Sequence, residues 1–229
     1  MTAPDELDAG LAALSALTDG VRRAAYRAVL AAGPGPVGRD EVAEALGVGR
    51  TLAAFHLDKL VDAGLLEVSY ARRTGRTGPG AGRPAKLYRP SATEHAVSVP
   101  PRDYRTAAEL LAESVERSGA DTALFDVARE HGRRTPPGTD IRELLAAHGY
   151  LPVETPAGFQ LTNCPFHRLA EQFPPLICGM NLALVEGIVA GLGGAEGLAH
   201  LDPAPDRCCV AVHHCTPESE ASGSNTYMD

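Results

Sequence analysis

Residues 40–66 read DEVAEALGVGRTLAAFHLDKLVDAGLL, and this stretch decides the fold of the N-terminal third. Val42, Ala43 and Leu46 fall on one face of a short helix beginning near Asp40, which Gly47 ends. Gly47-Val48-Gly49 makes a tight connection into a third helix, from about Arg50 to Ala63, with Ala53, Leu57, Leu60 and Val61 as its inward stripe and Gly64 closing it. Two short helices joined by a glycine-containing turn of about three residues make a helix-turn-helix pattern. Upstream, Asp19 caps a helix carrying Val21, Ala24, Ala25, Ala28 and Val29, and Gly33-Pro34-Gly35-Pro36 stops it. Downstream, Leu65, Leu66 and Val68 begin a strand, and Lys86-Leu87-Tyr88 returns as a second one, so the hairpin is a wing.

Charge supports the same reading. The chain has 229 residues and a net charge of −8, which alone speaks against nucleic acid. Yet residues 1–95 hold 12 basic and 11 acidic side chains, whereas residues 96–229 hold 9 and 18. Between residues 68 and 90, Arg72, Arg73, Arg76, Arg83, Lys86 and Arg89 occur without one acid. A local basic run matters more to a phosphate backbone than the total charge.

The segments from His56 to Leu66 and Gly82-Arg83-Pro84-Ala85-Lys86-Leu87-Tyr88 resemble winged-helix regulators of the arsenical-resistance (ArsR) superfamily, over about residues 11–92. The resemblance implies a homodimer with its third helix in the major groove of a double-stranded DNA operator and its wing on the flanking backbone or minor groove. Arg50 and Thr51 then meet base edges or phosphates, and Lys59, Arg72, Arg73, Arg76, Arg83 and Lys86 suit phosphate contact. Ala54, Phe55 and His56 stand on the same helix; His56 either packs, bonds a phosphate, or reads a base.

Beyond Pro100-Pro101, Ala107, Leu110, Leu111, Ser114 and Val115 follow helical spacing, and a second helix spans roughly Asp121 to Gly132. Residues 102–132 either pair across a dimer axis or pack within their own domain. Thr139 and Asp140 start a helix with Ile141, Leu144 and Leu145 inward. Val153 and Phe159-Gln160-Leu161-Thr162 flank a Thr155–Gly158 turn as a hairpin.

Five cysteines, none in the first 163 residues, argue against a disulfide framework spread through a secreted domain. Pro165 is expected to put Cys164 at a helix cap, and Cys178 to precede a long apolar helix, Gly179 to Leu192. Both sulfurs would then sit at helix N-termini, which favour thiolate, the metal-binding form. Cys208 and Cys209 fall in an expected strand, Arg207 to Val212, whose alternation sends them to opposite faces. Cys208 shares its face with Val210 and Val212 and is the favoured third donor. Buried cysteines are also often small hydrophobes, and the spacing C-x13-C-x29-C matches no tight zinc motif.

A winged helix followed by CPF and further cysteines at these wide spacings resembles SufR-type iron–sulfur repressors. That resemblance implies a 4Fe–4S cluster on Cys164, Cys178 and Cys208, with a fourth ligand drawn from Cys209, Cys215, His167, His200, His213 or His214. The whole reads as an α+β chain: a winged helix-turn-helix domain (1–92), a linker and helical dimerisation region (93–137), and a C-terminal sensor domain with a polar tail (138–229). Its expected function is a DNA-binding repressor that senses redox, nitric oxide or iron–sulfur status. Zinc, a thiol–disulfide switch, or a small-molecule or enzymatic C-terminal domain are the alternatives. No nucleophile–base pair stands out, and His167 near Cys164 is a weak Cys–His pair, so enzyme activity is not expected. No window approaches the roughly 18 to 20 apolar residues of a membrane span. The acidic N-terminus lacks the order of a secretory signal, so a cytoplasmic protein without membrane contact is expected.

Overall fold

A computed structural model describes residues 3–33, 35–71, 84–100, 102–134, 140–194, 197–204 and 207–214. The fold is α+β, and the chain divides into two compact units, Met1–Leu110 and Leu111–Asp229.

The first unit begins with α1 (Ala3–Ala16), a helix ahead of the expected ones, and continues with α2 (Gly20–Ala31). Asp19 caps α2 as the sequence indicates, its carboxylate accepting the Arg22 N–H at 2.8 Å. A two-residue strand, β1 (Val37–Gly38), precedes α3 (Arg39–Leu46), and α4 (Arg50–Asp62) follows the turn. Gly47 closes α3 at φ 64°, a left-handed conformation that glycine adopts without steric cost. The wing strands are β2 (Leu66–Ala71) and β3 (Ala85–Pro90). They pair antiparallel with Val68 opposite Tyr88, and β1 adds to the far side of β3, giving the order β1-β3-β2.

Ala25, Val29, Val42, Leu57, Leu60, Leu66 and Tyr88 form the core of this unit, joined by Ala13 from α1. Ala53, Leu57 and Leu60 are fully buried, so the inward stripe read from α4 holds. On α2 the stripe is narrower than its composition suggests: Ala25 and Val29 are buried, but Val21 and Ala24 are exposed. Ala24 directly precedes the fully buried Ala25 and so points about 100° away from it around the helix.

α5 (Tyr104–Ser118) runs across the boundary between the units. The second unit continues with α6 (Asp121–Arg133), α7 (Ile141–Ala147), β4 (Pro152–Thr155), β5 (Gly158–Leu161), α8 (His167–Gln172), α9 (Pro174–Gly191), β6 (Ala199–Leu201) and β7 (Val210–His213). Its antiparallel sheet has the order β4-β5-β7-β6. Asp140 caps α7, while the neighbouring Thr139 lies outside the described residues. Val185 and Val189 of α9 pack with Leu161, Val210 and Val212 of the sheet and with Leu145 and Tyr150.

α6 lies against α9 at backbone contact distance. A Cβ on Gly187 would stand 2.1 Å from the Arg129 carbonyl oxygen, and one on Gly132 would stand 2.3 Å from the Leu184 oxygen. Only glycine at both places allows that approach. α6 therefore packs inside its own unit. On α5 it is Ala112 and Val115 that pack, against Leu176, Ile177 and Phe125, whereas Leu110 and Leu111 of the expected stripe are exposed.

α9 corrects two expectations. It starts four residues ahead of Cys178, at Pro174, because Pro174-Pro175 occupies the first two helical positions, where a missing N–H costs nothing. At 18 residues and a mean hydropathy of 1.4 it is also long and apolar enough, by length and composition, to cross a membrane. Here half of it is buried as the central helix of its unit, beside an ion pair between Glu186 and Arg129 at 2.9 Å.

Candidate nucleic-acid interface and cysteine site

The outward face of α4 carries Arg50, Thr51, Leu52, Phe55 and Lys59, with Ala54 half-buried among them. Leu52 was not among the expected residues, although it precedes Phe55 by one helical step of three and shares its exposed face. His56 turns inward and is buried beneath the Asp19 cap, its Nδ1 3.8 Å from Asp19 Oδ1 and without a hydrogen-bond partner. The Phe55 ring meets it edge-on at 5.3 Å.

Each described cation of this surface has a carboxylate beside it. Arg50 Nε lies 3.2 Å from Asp40, and Lys59 Nζ 3.1 Å from Asp62. Both pairs are solvent-exposed, where an ion pair contributes little and a phosphate can displace the carboxylate. Lys86 is held differently. Its ammonium donates to Asp58 Oδ1 at 2.6 Å, and the Tyr88 hydroxyl donates to the same oxygen at 2.8 Å. Burial pushes the Asp58 carboxyl up, but the bonds from Lys86 and Tyr88 outweigh it and hold the carboxyl below its usual range. Asp58 thus ties α4 to β3 and sets the root of the hairpin against that helix. Arg72, Arg73, Arg76 and Arg83 lie outside the described residues, as does Cys215.

In the other unit, four cysteines from three segments come together. Cys164 lies in the turn between β5 and α8, Cys178 in the second turn of α9, and Cys208 and Cys209 in the turn before β7. The Cys208 thiol interacts with those of both Cys164 and Cys209, and the Cys209 thiol also with that of Cys178. Backbone bonds pin the turn: the Cys208 N–H donates to the Leu161 carbonyl at 2.8 Å, and Cys209 O accepts from Asp202 N at 2.7 Å.

These placements revise the expected routes to a thiolate. Cys164 stands two residues outside α8, whose cap is Phe166, and Cys178 is inside α9, past the free amides of its first turn. Cys208 and Cys209 precede the strand; a turn, freed from strict alternation, lets both sulfurs reach the same place. Cys208 is the electron-rich member, its thiol held far below the ordinary value by hydrogen bonds from Cys164 and Cys209, against the opposing effect of burial. Its partners pay the opposite way: the bond to Cys208 and burial push the Cys164 and Cys209 thiols up. Asn181 Nδ2 adds a further donor to Cys208 Sγ at 3.1 Å. Neither Asn181 nor Tyr150, which bonds it, was marked from sequence.

As the side chains stand, no group of three or more His, Cys, Asp or Glu among the described residues is disposed to hold a metal ion. The histidines considered as donors have other neighbours: His167 pairs with Glu171 at 3.4 Å, the His200 and His213 rings lie 4.0 Å apart, and His214 meets the Phe159 ring.

Residues 17–69, from just before α2 into β2, match the family model described as a helix-turn-helix domain. No curated protein and no solved structure matches the chain. The helix-turn-helix domain supports a DNA-binding transcriptional regulator, and points to a regulator in preference to an enzyme.

Proposed function

We propose that this chain is a homodimeric, cytoplasmic repressor of the arsenical-resistance type whose C-terminal cysteines hold a 4Fe–4S cluster and report redox, nitric oxide or iron–sulfur status to DNA. The observation that carries the reading is the meeting of Cys164, Cys178, Cys208 and Cys209, from three separate segments, at one half-buried place. Chemically the donor set fits: iron–sulfur clusters are held by four cysteine thiolates, and an N–H donor such as Asn181 suits their sulfurs. Cys209 becomes the fourth ligand ahead of Cys215 and the histidines. As the side chains stand, no group among the described residues is disposed for a metal, so the thiols would have to rearrange to admit four irons, with the turn around residues 207–209 giving way. Such a group supplies one-electron chemistry and a metal-held geometry that its loss would release.

For the DNA side, Arg50 and Thr51 would read or position, and Leu52 and Phe55 would meet apolar base edges such as the thymine methyl. Lys59 and the wing arginines would bind phosphate, as would Lys86 once drawn from Asp58. Leu110 and Leu111, exposed on α5, supply apolar surface for a second copy. To act as a switch, the two cluster states must differ by about 1–3 kcal/mol in their coupling to DNA.

Iron, acid-labile sulfide and zinc analysis on protein purified without oxygen tests the reading. Nearly equal iron and sulfide is the expected result. Protein that holds neither, and takes up neither on reconstitution, would sink it. One observation favours a second reading, a thiol–disulfide switch without metal: the Cys208 thiol already interacts with those of Cys164 and Cys209. DNA binding that responds to reductant in metal-free protein would support it.

A further inference from the structure

Asn181 is a fully buried polar side chain in the second unit. It lies one helical turn beyond Cys178 on α9, so both face the same side. Its Nδ2 donates to Cys208 Sγ at 3.1 Å, and its Oδ1 accepts from the Tyr150 hydroxyl. Tyr150 and Cys208 are each 1% exposed. An amide in an apolar core costs free energy unless its groups are satisfied, and an aliphatic side chain would fill this position without that demand. Here both ends of the amide are used, and each end has a different task. In this arrangement the Tyr150 hydroxyl donates to the carbonyl end of Asn181, which leaves the N–H₂ end toward sulfur. A flipped amide would set a carbonyl oxygen against the sulfur lone pairs.

We infer that Tyr150 and Asn181 form a positioning relay that aims an N–H at the Cys208 sulfur and sets how readily the cysteine group gives up electrons. Hydrogen bonds to sulfur stabilise the more electron-rich state, whether that is a reduced cluster or a thiolate. In its cluster form the inference rests on the function proposed above; in its thiol form it does not. Without metal, Cys208 and a neighbouring thiol, Cys164 or Cys209, react with one glutathione disulfide to give one protein disulfide and two glutathiones. The two electrons pass from protein sulfur to glutathione sulfur.

The test compares the full-length chain with Asn181→Leu, which removes the donor at similar volume, and Tyr150→Phe, which keeps the packing and frees the amide to flip. In metal-free protein equilibrated with glutathione buffers, labelling read by mass spectrometry gives the Cys208 disulfide equilibrium. Asn181→Leu is expected to shift it about tenfold toward disulfide, which is about 30 mV for a two-electron couple. In protein reconstituted with iron and sulfide, the one-electron potential is expected to fall by about 60 mV, again a tenfold change. Tyr150→Phe should move both in the same direction by less, and it carries the test if Asn181→Leu does not fold. Wild-type values in the folded variants would overturn the relay. If the wild type takes up no iron and sulfide, the cluster reading falls and the glutathione equilibrium alone decides the relay. A wild type whose Cys208 forms neither disulfide nor cluster would overturn it too.

Discussion

Asp58 shows how one side chain can join two elements that the sequence separates. It sits on α4, the helix proposed to face DNA, where a carboxylate would repel phosphate, yet it receives both the Lys86 ammonium and the Tyr88 hydroxyl. With about half its side chain exposed, the pair is partly screened, so Asp58→Asn is expected to cost about 1 kcal/mol. The sign with pH follows from the lowered carboxyl: its contribution is present above the unfolded carboxylate range and disappears as pH falls through the folded value. Thermal melts should therefore separate variant from wild type at pH 7 and bring them together in strong acid. A constant gap would show that the charge is not the source. The cysteines divide at the same scale. Cys178→Ser and Cys209→Ser are each expected to lose bound iron and sulfide while the protein keeps its oligomeric state, measured by metal analysis and sedimentation. Full retention in Cys209→Ser would remove it from the ligand set.

Helix pairing in the second unit depends on atoms that are missing. Gly187→Ala would bring a Cβ onto the backbone of α6, where neither side can yield by rotating a side chain. The helices would have to separate, at a cost of about 3 kcal/mol, the upper part of the usual range for overpacking. Denaturant unfolding would measure it, and a loss below half that figure would mean the pair is looser than described. On α4 and the wing, a division of labour is expected. Arg50→Ala should weaken binding to the operator more than to random DNA. Arg76→Ala should weaken both alike and reduce the salt slope by about one. Binding titrations over a range of salt distinguish them, and equal losses on both DNAs for both variants would contradict the division.

At the scale of the whole molecule, α5 leaves large apolar side chains in solvent. Leu110 and Leu111 are exposed beside a packed face formed by Ala112 and Val115. If a second copy covers them, Leu111→Glu should convert the dimer to monomer in sedimentation and weaken operator binding, without lowering the unfolding midpoint of either unit. An unchanged dimer would move the interface elsewhere, with Leu11 and Leu14 of α1 the next exposed apolar pair.

Local pattern was enough for much of this chain. The stripe Ala53, Leu57, Leu60, the glycine at position 47 and the Asp19 cap are choices made within one or two helical turns, and each appears in the structure where the residues put it. The helix-turn-helix was legible for that reason. α1 has no signature in the sequence because its acidic start and small residues show no sharp stripe, and β1 has none because two residues carry no period. The start of α9 was misplaced because the apolar run after Cys178 outweighed Pro174-Pro175, although the prolines were the local signal that mattered. Nothing local could bring Asn181 to Cys208, or Cys209 to Cys178, because those meetings depend on how a turn, a helix and a strand end pack around one core. Sequence thus determined which segments become helices and strands and which residues could do chemistry. Tertiary structure alone decided which of them touch, since contacts between distant residues are set by the packing of whole elements and not by any period along the chain.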